Sequence, residues 1–484
     1  MSSQLPIFLF LVPFVTAVAM PILCAKRRSW CQRLTTGAVS VMVVLSVINL
    51  RVVLSEGSIE YAFGGWTAPV GIAWLVDPLA AIVILTMSVV ALLSLIYGRL
   101  VVTSKLDKSV QYYTLILLFI AALVGVVFAA DLFNVFVFLE MAALAGYALV
   151  SAGGGKALVY AFRYLLLGSF GATLYLLGVS YLYAATGTLN MADLGTRLPE
   201  LMTSTAVVSG LVFVFLGLSI KMALVPLHGW LPGAYANAPE AVAPLLASTI
   251  TKVALVAWVR IEYSLIAPGV EVSHVPVLVL LEYIGVLAAV IGAALALVQT
   301  EIKRMFAYGG ISHIGLILVG VSLGNSTALA GGLFYLVNDA VMQAALFMIA
   351  GAVLHYHGAR TLDDLKGVAN RSPWLTGALV VVAISMVGLP PTGGFFGKWN
   401  IVLGALEAQH YLAVFAVLAS TLLTLGYFLR LFACWFHQPV TIESERLEVA
   451  ACLRVSLGAA SVATIVLGLL SDSVVRVLLE SLAS

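Results

Sequence analysis

Polar positions are so sparse along this chain that long apolar runs set the first reading. Fourteen stretches are apolar over about the 20 residues needed to cross roughly 30 Å of hydrocarbon. They cover 5–25, 35–54, 74–98, 110–129, 131–151, 160–184, 205–227, 239–261, 275–299, 305–324, 328–356, 374–405, 411–436 and 450–470. Lipid offers no partner for free backbone groups, so such runs read as helices, and the class predicted is an all-α integral membrane protein. The first run is followed, not preceded, by Lys26, Arg27 and Arg28, the reverse of a signal peptide's charge order, and is predicted to be a retained helix. Between the second and third runs, Ser55 to Gly71 carries Tyr61, Phe63 and the adjacent Gly64 and Gly65. It reads as either a small hairpin or a plain loop.

The basic residues test this count. If the loop from Lys26 to Arg33 is cytoplasmic, strict alternation puts most of the 24 Lys and Arg on that side, with only Arg51, Arg197, Arg260 and Arg476 outside. That asymmetry is the positive-inside rule, and one missed helix would reverse it downstream. Both termini are therefore predicted outside. Composition agrees: the chain is 62% hydrophobic and 10% charged, with mean hydropathy +1.11. A net charge of +2 excludes a strongly basic nucleic-acid binder. Cys24, Cys31, Cys434 and Cys452 form no CxxC pair or Cys/His metal spacing, so no disulfide, metal, haem or iron–sulfur site is predicted.

Against this background, charges inside spans stand out. Lys221, Lys252 and Lys398 each lie within an apolar stretch, and Glu140 lies in a fourth. A charge near the bilayer centre costs roughly 2.5–3.5 kcal/mol on insertion scales, so such residues mark ion paths more readily than drift. Two of the same stretches also carry helix breakers, Lys221 to Pro232 with Pro226 and His228, and Gly388 to Lys398 with Pro390, Pro391 and Gly393. Breaks of this kind belong where freed backbone faces protein or a hydrated cavity. Paired breaks five helices apart, each with a lysine, match the discontinuous helices of inverted-repeat transporters. The organisation predicted is helices 1–3 over 1–109, a first repeat of helices 4–8 over 110–261, a second of helices 9–13 over 275–436, and helix 14 within 450–484.

Taken together, several segments resemble a known family, the antiporter-like proton-translocating membrane subunits of respiratory complex I, membrane-bound hydrogenases and Mrp cation/proton antiporters. They are Asp131-Leu-Phe-Asn-Val-Phe-Val-Phe-Leu-Glu140, Thr186-Gly-Thr-Leu-Asn-Met-Ala-Asp-Leu194, Lys221 to Pro232, Glu301-Ile-Lys-Arg-Met-Phe-Ala-Tyr308 through Ser312-His313, and Gly388 to Lys398. Lys398 and the Thr-Gly-Thr-Leu-Asn segment look most like the D-type subunit of Mrp antiporters and its counterparts in hydrogenase-type complexes. The resemblance implies that Glu140 and Lys221 form an intramembrane pair, that Lys252 exchanges a proton near the midplane, and that Lys398 ends the second repeat. Lysine suits this work because its proton affinity moves readily with burial.

Other positions carry two readings each. His228 is either a bridge between charged regions or a packing histidine. His313 either feeds protons inward near the cytoplasmic side or is interfacial. Lys303 and Arg304 read as positive-inside anchors, Asp77 as a helix cap, and Glu240 as a first-turn acid rather than a channel entry. Where many relatives carry histidines and a lysine in the eleventh helix, this chain has Tyr335, Asn338, Asp339 and Gln343, so Asp339 is the candidate titratable group there.

Two functions of different class follow. One is an ion-translocating subunit of a multisubunit complex, either an Mrp-type antiporter or the pump module of a redox-driven complex whose redox centres lie on other chains. The other is a stand-alone secondary transporter. Spaced titratable residues and broken helices describe a proton wire better than a compact substrate pocket. No cofactor and no catalytic redox site of its own are expected, and the partners implied are other membrane subunits, lipid, protons and sodium.

Overall fold

The computed structural model describes residues 4–25, 27–102, 109–265, 277–437 and 447–483; Lys26 of the first basic loop lies outside them. Two helices, α1 (Leu5–Leu23) and α2 (Cys31–Glu56), lead into an antiparallel hairpin of β1 (Ile59–Ala62) and β2 (Ala73–Val76), with Ile59 opposite Val76. The second strand takes the first residues assigned above to the third span. Four apolar strand residues running into an apolar helix look continuous in sequence, and Asp77 with Pro78, at the first turn of α3 (Pro78–Val101), marks the true start. Asp77 caps that helix, accepting from Ala80 N at 2.7 Å.

The helices that follow are α4 (Val110–Phe128), α5 (Leu132–Ser151), α6 (Lys156–Thr186), a short α7 (Met191–Arg197), and α8 (Thr205–Met222). After the first break come α9 (Leu231–Asn237), α10 (Ala243–Leu265), α11 (Val277–Val298), α12 (Ile302–Ser322) and α13 (Ser326–His357). A single turn, α14 (Val368–Arg371), precedes α15 (Pro373–Val387) and α16 (Gly393–Glu407), the two halves of the twelfth span. The chain ends with α17 (Tyr411–Trp435), α18 (Ala451–Leu469) and α19 (Ser471–Ala483), the last beyond the fourteen expected spans. Among the described residues, 13 helices are long and apolar enough to cross a membrane individually, and α15 is a shorter apolar one. The protein is an all-α integral membrane protein with about 14 spans.

Helices α10, α12 and α13 form the centre, buried along nearly their whole length. Around them, α1, α2, α6, α17 and α18 expose side chains such as Val44, Phe162, Phe170, Leu422 and Val462, the surface expected against lipid or neighbouring subunits. Helices α6 and α8 approach closely because Gly171 and Gly178 face Gly217 and Gly210, leaving no room for a Cβ. Small residues at such an interface let backbones meet, as is common between membrane helices.

Three of the sequence motifs prove to be junctions. Asp131 caps α5 through Asn134 N at 2.7 Å, while Asn190 caps α7 through Asp193 N at 3.1 Å. Leu132 N then donates to Leu189 O and Met191 N to Ala130 O, both at 3.0 Å, so the Asp131 and Asn190 segments form one backbone bridge. Glu301 pairs with Thr361 in a similar bridge. There the Asp364 carboxyl is held below the usual carboxylate range, mainly by the Thr361 hydroxyl and then by the backbone N–H groups of Thr361 and Arg360.

Candidate functional site: a buried line of charges

Each break in the predicted seventh and twelfth spans is closed by a named side chain. Helix α8 ends at Met222, with Ala223 in the left-handed region at φ 57°. The Trp230 indole, stacked on Tyr164 at 4.1 Å between ring centres, donates to Ile220 O at 2.9 Å, a last-turn carbonyl that also accepts from Ala223 N at 3.1 Å. Pro226 sits exposed within the break and Pro232 is buried in the first turn of α9. In the twelfth span, Gly388 at φ 87° ends α15. Pro390 and Pro391 are exposed, and Gly393 is buried at the start of α16.

Lys398 closes this second break. Its Nζ donates to Met386 O at 2.9 Å, Val387 O at 3.2 Å and Thr421 Oγ1 at 3.2 Å, and lies 5.9 Å from the centre of the Tyr335 ring. The ammonium thus sits on the orphan carbonyls at the C-terminal end of α15, where a helix's partial negative charge favours a cation. Among the described residues it has no carboxylate within ion-pair distance.

Near the start of this line, Lys221 on the last turn of α8 donates to Glu140 Oε1 on α5 at 2.5 Å. A small cavity lined by Phe136, Leu139, Tyr175 and Leu218 adjoins the pair. The expected Glu140 and Lys221 partnership is therefore present in the geometry.

The centre is a cluster of three. Lys252 on α10 lies 2.7 Å from Asp339 Oδ2 on α13 and donates to Ala247 O at 2.8 Å. His313 Nδ1 on α12 lies 2.7 Å from the other oxygen, Asp339 Oδ1. Lys252 is 2% exposed, and His313 and Asp339 are wholly buried. Nearby polar atoms lack hydrogen-bond partners among the described residues: His313 Nε2, Tyr335 OH, Asn338 Oδ1, Gln343 Nε2 and Tyr427 OH. Buried polar groups normally find partners, and a run of open ones is where bound water is expected. One carboxylate between two bases can balance a single positive charge, so a proton can reside on lysine or on imidazole without changing the net charge.

The remaining candidates fall into place with corrections. His313 is neither interfacial nor at a helix start; it is midway along α12, which begins three residues earlier than expected. His228 is half-buried with its ring 6.1 Å from Tyr308, and no hydrogen bond or ion pair joins it to the buried charges. Lys303 is not a solvated anchor: it is 7% exposed and ion-paired with Glu240. Sequence reasoning singled out Asp339 but not its contacts with Lys252 and His313. It also missed Asp77 pairing with Arg260 at 2.7 Å and His410 Nδ1 meeting Glu282 at 2.6 Å.

Comparison with known proteins places the line in context. The family model described as "NADH:quinone oxidoreductase/Mrp antiporter, TM" matches residues 129–424, which contain Glu140, Lys221, Lys252, His313, Asp339 and Lys398. The chain is 37% identical to the N-type subunit of NADH-quinone oxidoreductase from Desulforudis audaxviator, over 98% of this chain and 97% of that protein. It is 33% identical to the D-type Na(+)/H(+) antiporter subunit of Alkalihalophilus pseudofirmus, over 93% and 91%. Among solved structures, a chain of the archaeal membrane-bound sulfane sulfur reductase superposes with TM-score 0.93 at 28% identity, covering 99% of this chain and 98% of that one. A chain of the Mrp complex from Dietzia sp. DQ12-45-1b shares the fold, with TM-score 0.89 at 24% identity over 100% and 97%. The chain belongs to the NADH:quinone oxidoreductase/Mrp antiporter transmembrane family.

Proposed function

We propose that this chain is an ion-translocating subunit of a multisubunit membrane complex. It moves protons along the line from Glu140 and Lys221, through Lys252, Asp339 and His313, to Lys398. The observation that carries the reading is the Asp339 carboxylate held between two bases in a wholly buried setting. A structural ion pair needs one cation, whereas a second base on the same carboxylate supplies an alternative seat for a proton. Lys398 lies beyond Tyr335 on the same side of α13 as Asp339, one helical turn away. Lys221 and Glu140 can bias the centre electrostatically, since opposite charges in low dielectric attract strongly when close.

An Mrp-type exchange of protons for sodium is the first reading, in keeping with the antiporter relatives. The alternative is the pump module of a redox complex, in keeping with the quinone oxidoreductase relative and the sulfane sulfur reductase neighbour. Either way the partners are further membrane subunits. The basic loops, including Lys156, Arg163, Arg304, Lys366 and Arg371, support a reading with one face toward the cytoplasm and both termini outside, in a prokaryotic inner membrane. Two inverted five-helix repeats, helices 4–8 and 9–13, fit the matching lysine-bearing breaks and the close packing of α6 on α8 and of α13 on α16.

The test is purification of the tagged chain with its native partners, followed by proton transport in proteoliposomes. Co-purifying Mrp-type subunits with cation-dependent proton movement support antiport. Redox subunits support the pump. A chain that transports fully when alone would overturn the subunit reading.

A further inference from the structure

A cavity of about 670 Å³ lies at the basic face, lined by the end of α3, the α5–α6 turn, the α9–α10 turn, the start of α12 and the last turns of α13. Its wall carries Glu240 and Lys303, which pair with each other, with the exposed Lys156 and Arg360 nearby. The pair is well formed: Lys303 also donates to Ala238 O at 3.4 Å. Beside the lining residues Ala350 and Glu240, the Tyr97 hydroxyl from α3 is buried without a hydrogen-bond partner among the described residues and lies against Gly351 of α13.

From that point, one stripe of α13 leads inward at four-residue spacing: Gly351, Phe347, Gln343, Asp339 and Tyr335. All are buried. Gln343 has an unpartnered Nε2, which faces Gly310 of α12, and one turn further on is the Asp339 carboxylate. Polar groups thus stand at both ends of the stripe. The interruption is Phe347, wholly buried and packed edge-on against Tyr235 of α9, with 5.9 Å between ring centres at 88°. Tyr235 is held in place by its hydroxyl, which donates to Leu246 O at 3.2 Å. From Gly351 to Gln343 is about 12 Å of helix, and Phe347 lies midway between them.

We propose that Phe347, packed on Tyr235, is a hydrophobic gate between the basic-face cavity and the Asp339 cluster, with the Glu240 and Lys303 pair at its mouth. The idea rests on the transport reading above for its purpose. An apolar constriction between two polar compartments stops a water chain by dewetting, and a small displacement of either ring rewets it. Tyr235 belongs to α9, the short helix after the first break, so movement at the Lys221 break would reach the gate through a covalently continuous segment.

The test reads water access rather than transport. Cysteines are placed singly at Ala350 and Gln343, and the whole complex in its membrane is exposed to a small, charged, thiol-reactive methanethiosulfonate. The wild-type chain, with its four native cysteines, sets the background. Ala350→Cys should label in every case. Gln343→Cys should stay at background when Phe347 is present and label severalfold faster when combined with Phe347→Ala. If that combination does not assemble, Phe347→Val carries the same expectation. No labelling at Ala350→Cys would overturn the cavity as a water compartment. Equal labelling of Gln343→Cys with and without Phe347, or none in either, would overturn the gate. Because no ion flux is read, the transport reading and the gate can fail separately.

Discussion

Lys252 and Asp339 lie 2.7 Å apart on α10 and α13, and neither is more than 2% exposed. Burying both charges costs several kcal/mol per ion, and replacing such pairs by apolar residues is often neutral or stabilising. A fold that needed only stability would not need this pair. What the pair adds, with His313 on the carboxylate's other oxygen, is a place where a proton can move between two bases inside a buried centre.

The Glu140 and Lys221 contact should matter for flux more than for assembly. Glu140→Gln keeps size and hydrogen bonding but removes the charge that holds the Lys221 ammonium. Proton transport by the reconstituted complex should fall roughly a hundredfold, the lower range of what a positioned proton-transfer group contributes. Glu140→Asp should keep part of the rate. The complex should still elute as one species on size exclusion.

Lys398 separates a transport role from a structural one. Its ammonium binds Met386 O and Val387 O at the end of α15. Lys398→Arg keeps a permanent cation there but cannot release a proton under any ordinary condition. Both Lys398→Arg and Lys398→Ala should abolish transport, and the arginine variant should assemble as well as wild type. Full transport by Lys398→Arg would make the residue a helix cap alone.

Arg260 is a stability residue. Its guanidinium holds Asp77 at 2.7 Å and Leu75 O at 3.2 Å, tying α10 to the hairpin and the start of α3. Arg260→Ala leaves a largely buried carboxylate unpaired and should cost on the order of 3 kcal/mol. The apparent unfolding temperature of the purified complex should drop, while the folded remainder transports at the wild-type rate.

Asp364 gives a pH dependence outside the membrane. The hydrogen bonds from the Thr361 hydroxyl and from the backbone N–H groups of Thr361 and Arg360 favour the ionised carboxylate and lower its pKa in the folded state. Its contribution is therefore complete above the ordinary carboxylate range and is lost as pH falls through the lower, folded value. Hydrogen-exchange protection in residues 360–365, taken relative to the intrinsic rate at each pH, should fall on acidification in wild type. In Asp364→Asn the protection should be low throughout, with no such acid-driven change.

Much of this was legible because lipid penalises charge and free backbone so heavily. Lys221, Lys252, Lys398 and Glu140 stood out on that ground alone, as did the breaks at Pro226 and Gly388. What could not be read was helix rotation. Asp339 and Lys252 are far apart in sequence, and no periodicity says that α10 and α13 turn these faces together. Lys303 was misread because a lysine paired at a buried turn and one in open solvent have the same sequence context; only the packing of Glu240 onto it distinguishes them. Strand β2 was absorbed into the third span because its four apolar residues lengthen the apolar run, although Asp77 and Pro78 mark the helix start.

The central claim is that Asp339 is the shared hub of the ion path, and transport by Asp339→Asn tests it most directly. The purified complex is reconstituted in proteoliposomes and proton movement is followed with a pH-sensitive dye, beside Asp339→Glu and wild type. Asparagine preserves shape and a carbonyl acceptor for Lys252 but cannot serve as the anion between two bases. The account predicts near-complete loss with Asp339→Asn, partial activity with Asp339→Glu, and normal assembly of both. Wild-type proton transport by a correctly assembled Asp339→Asn complex would contradict it.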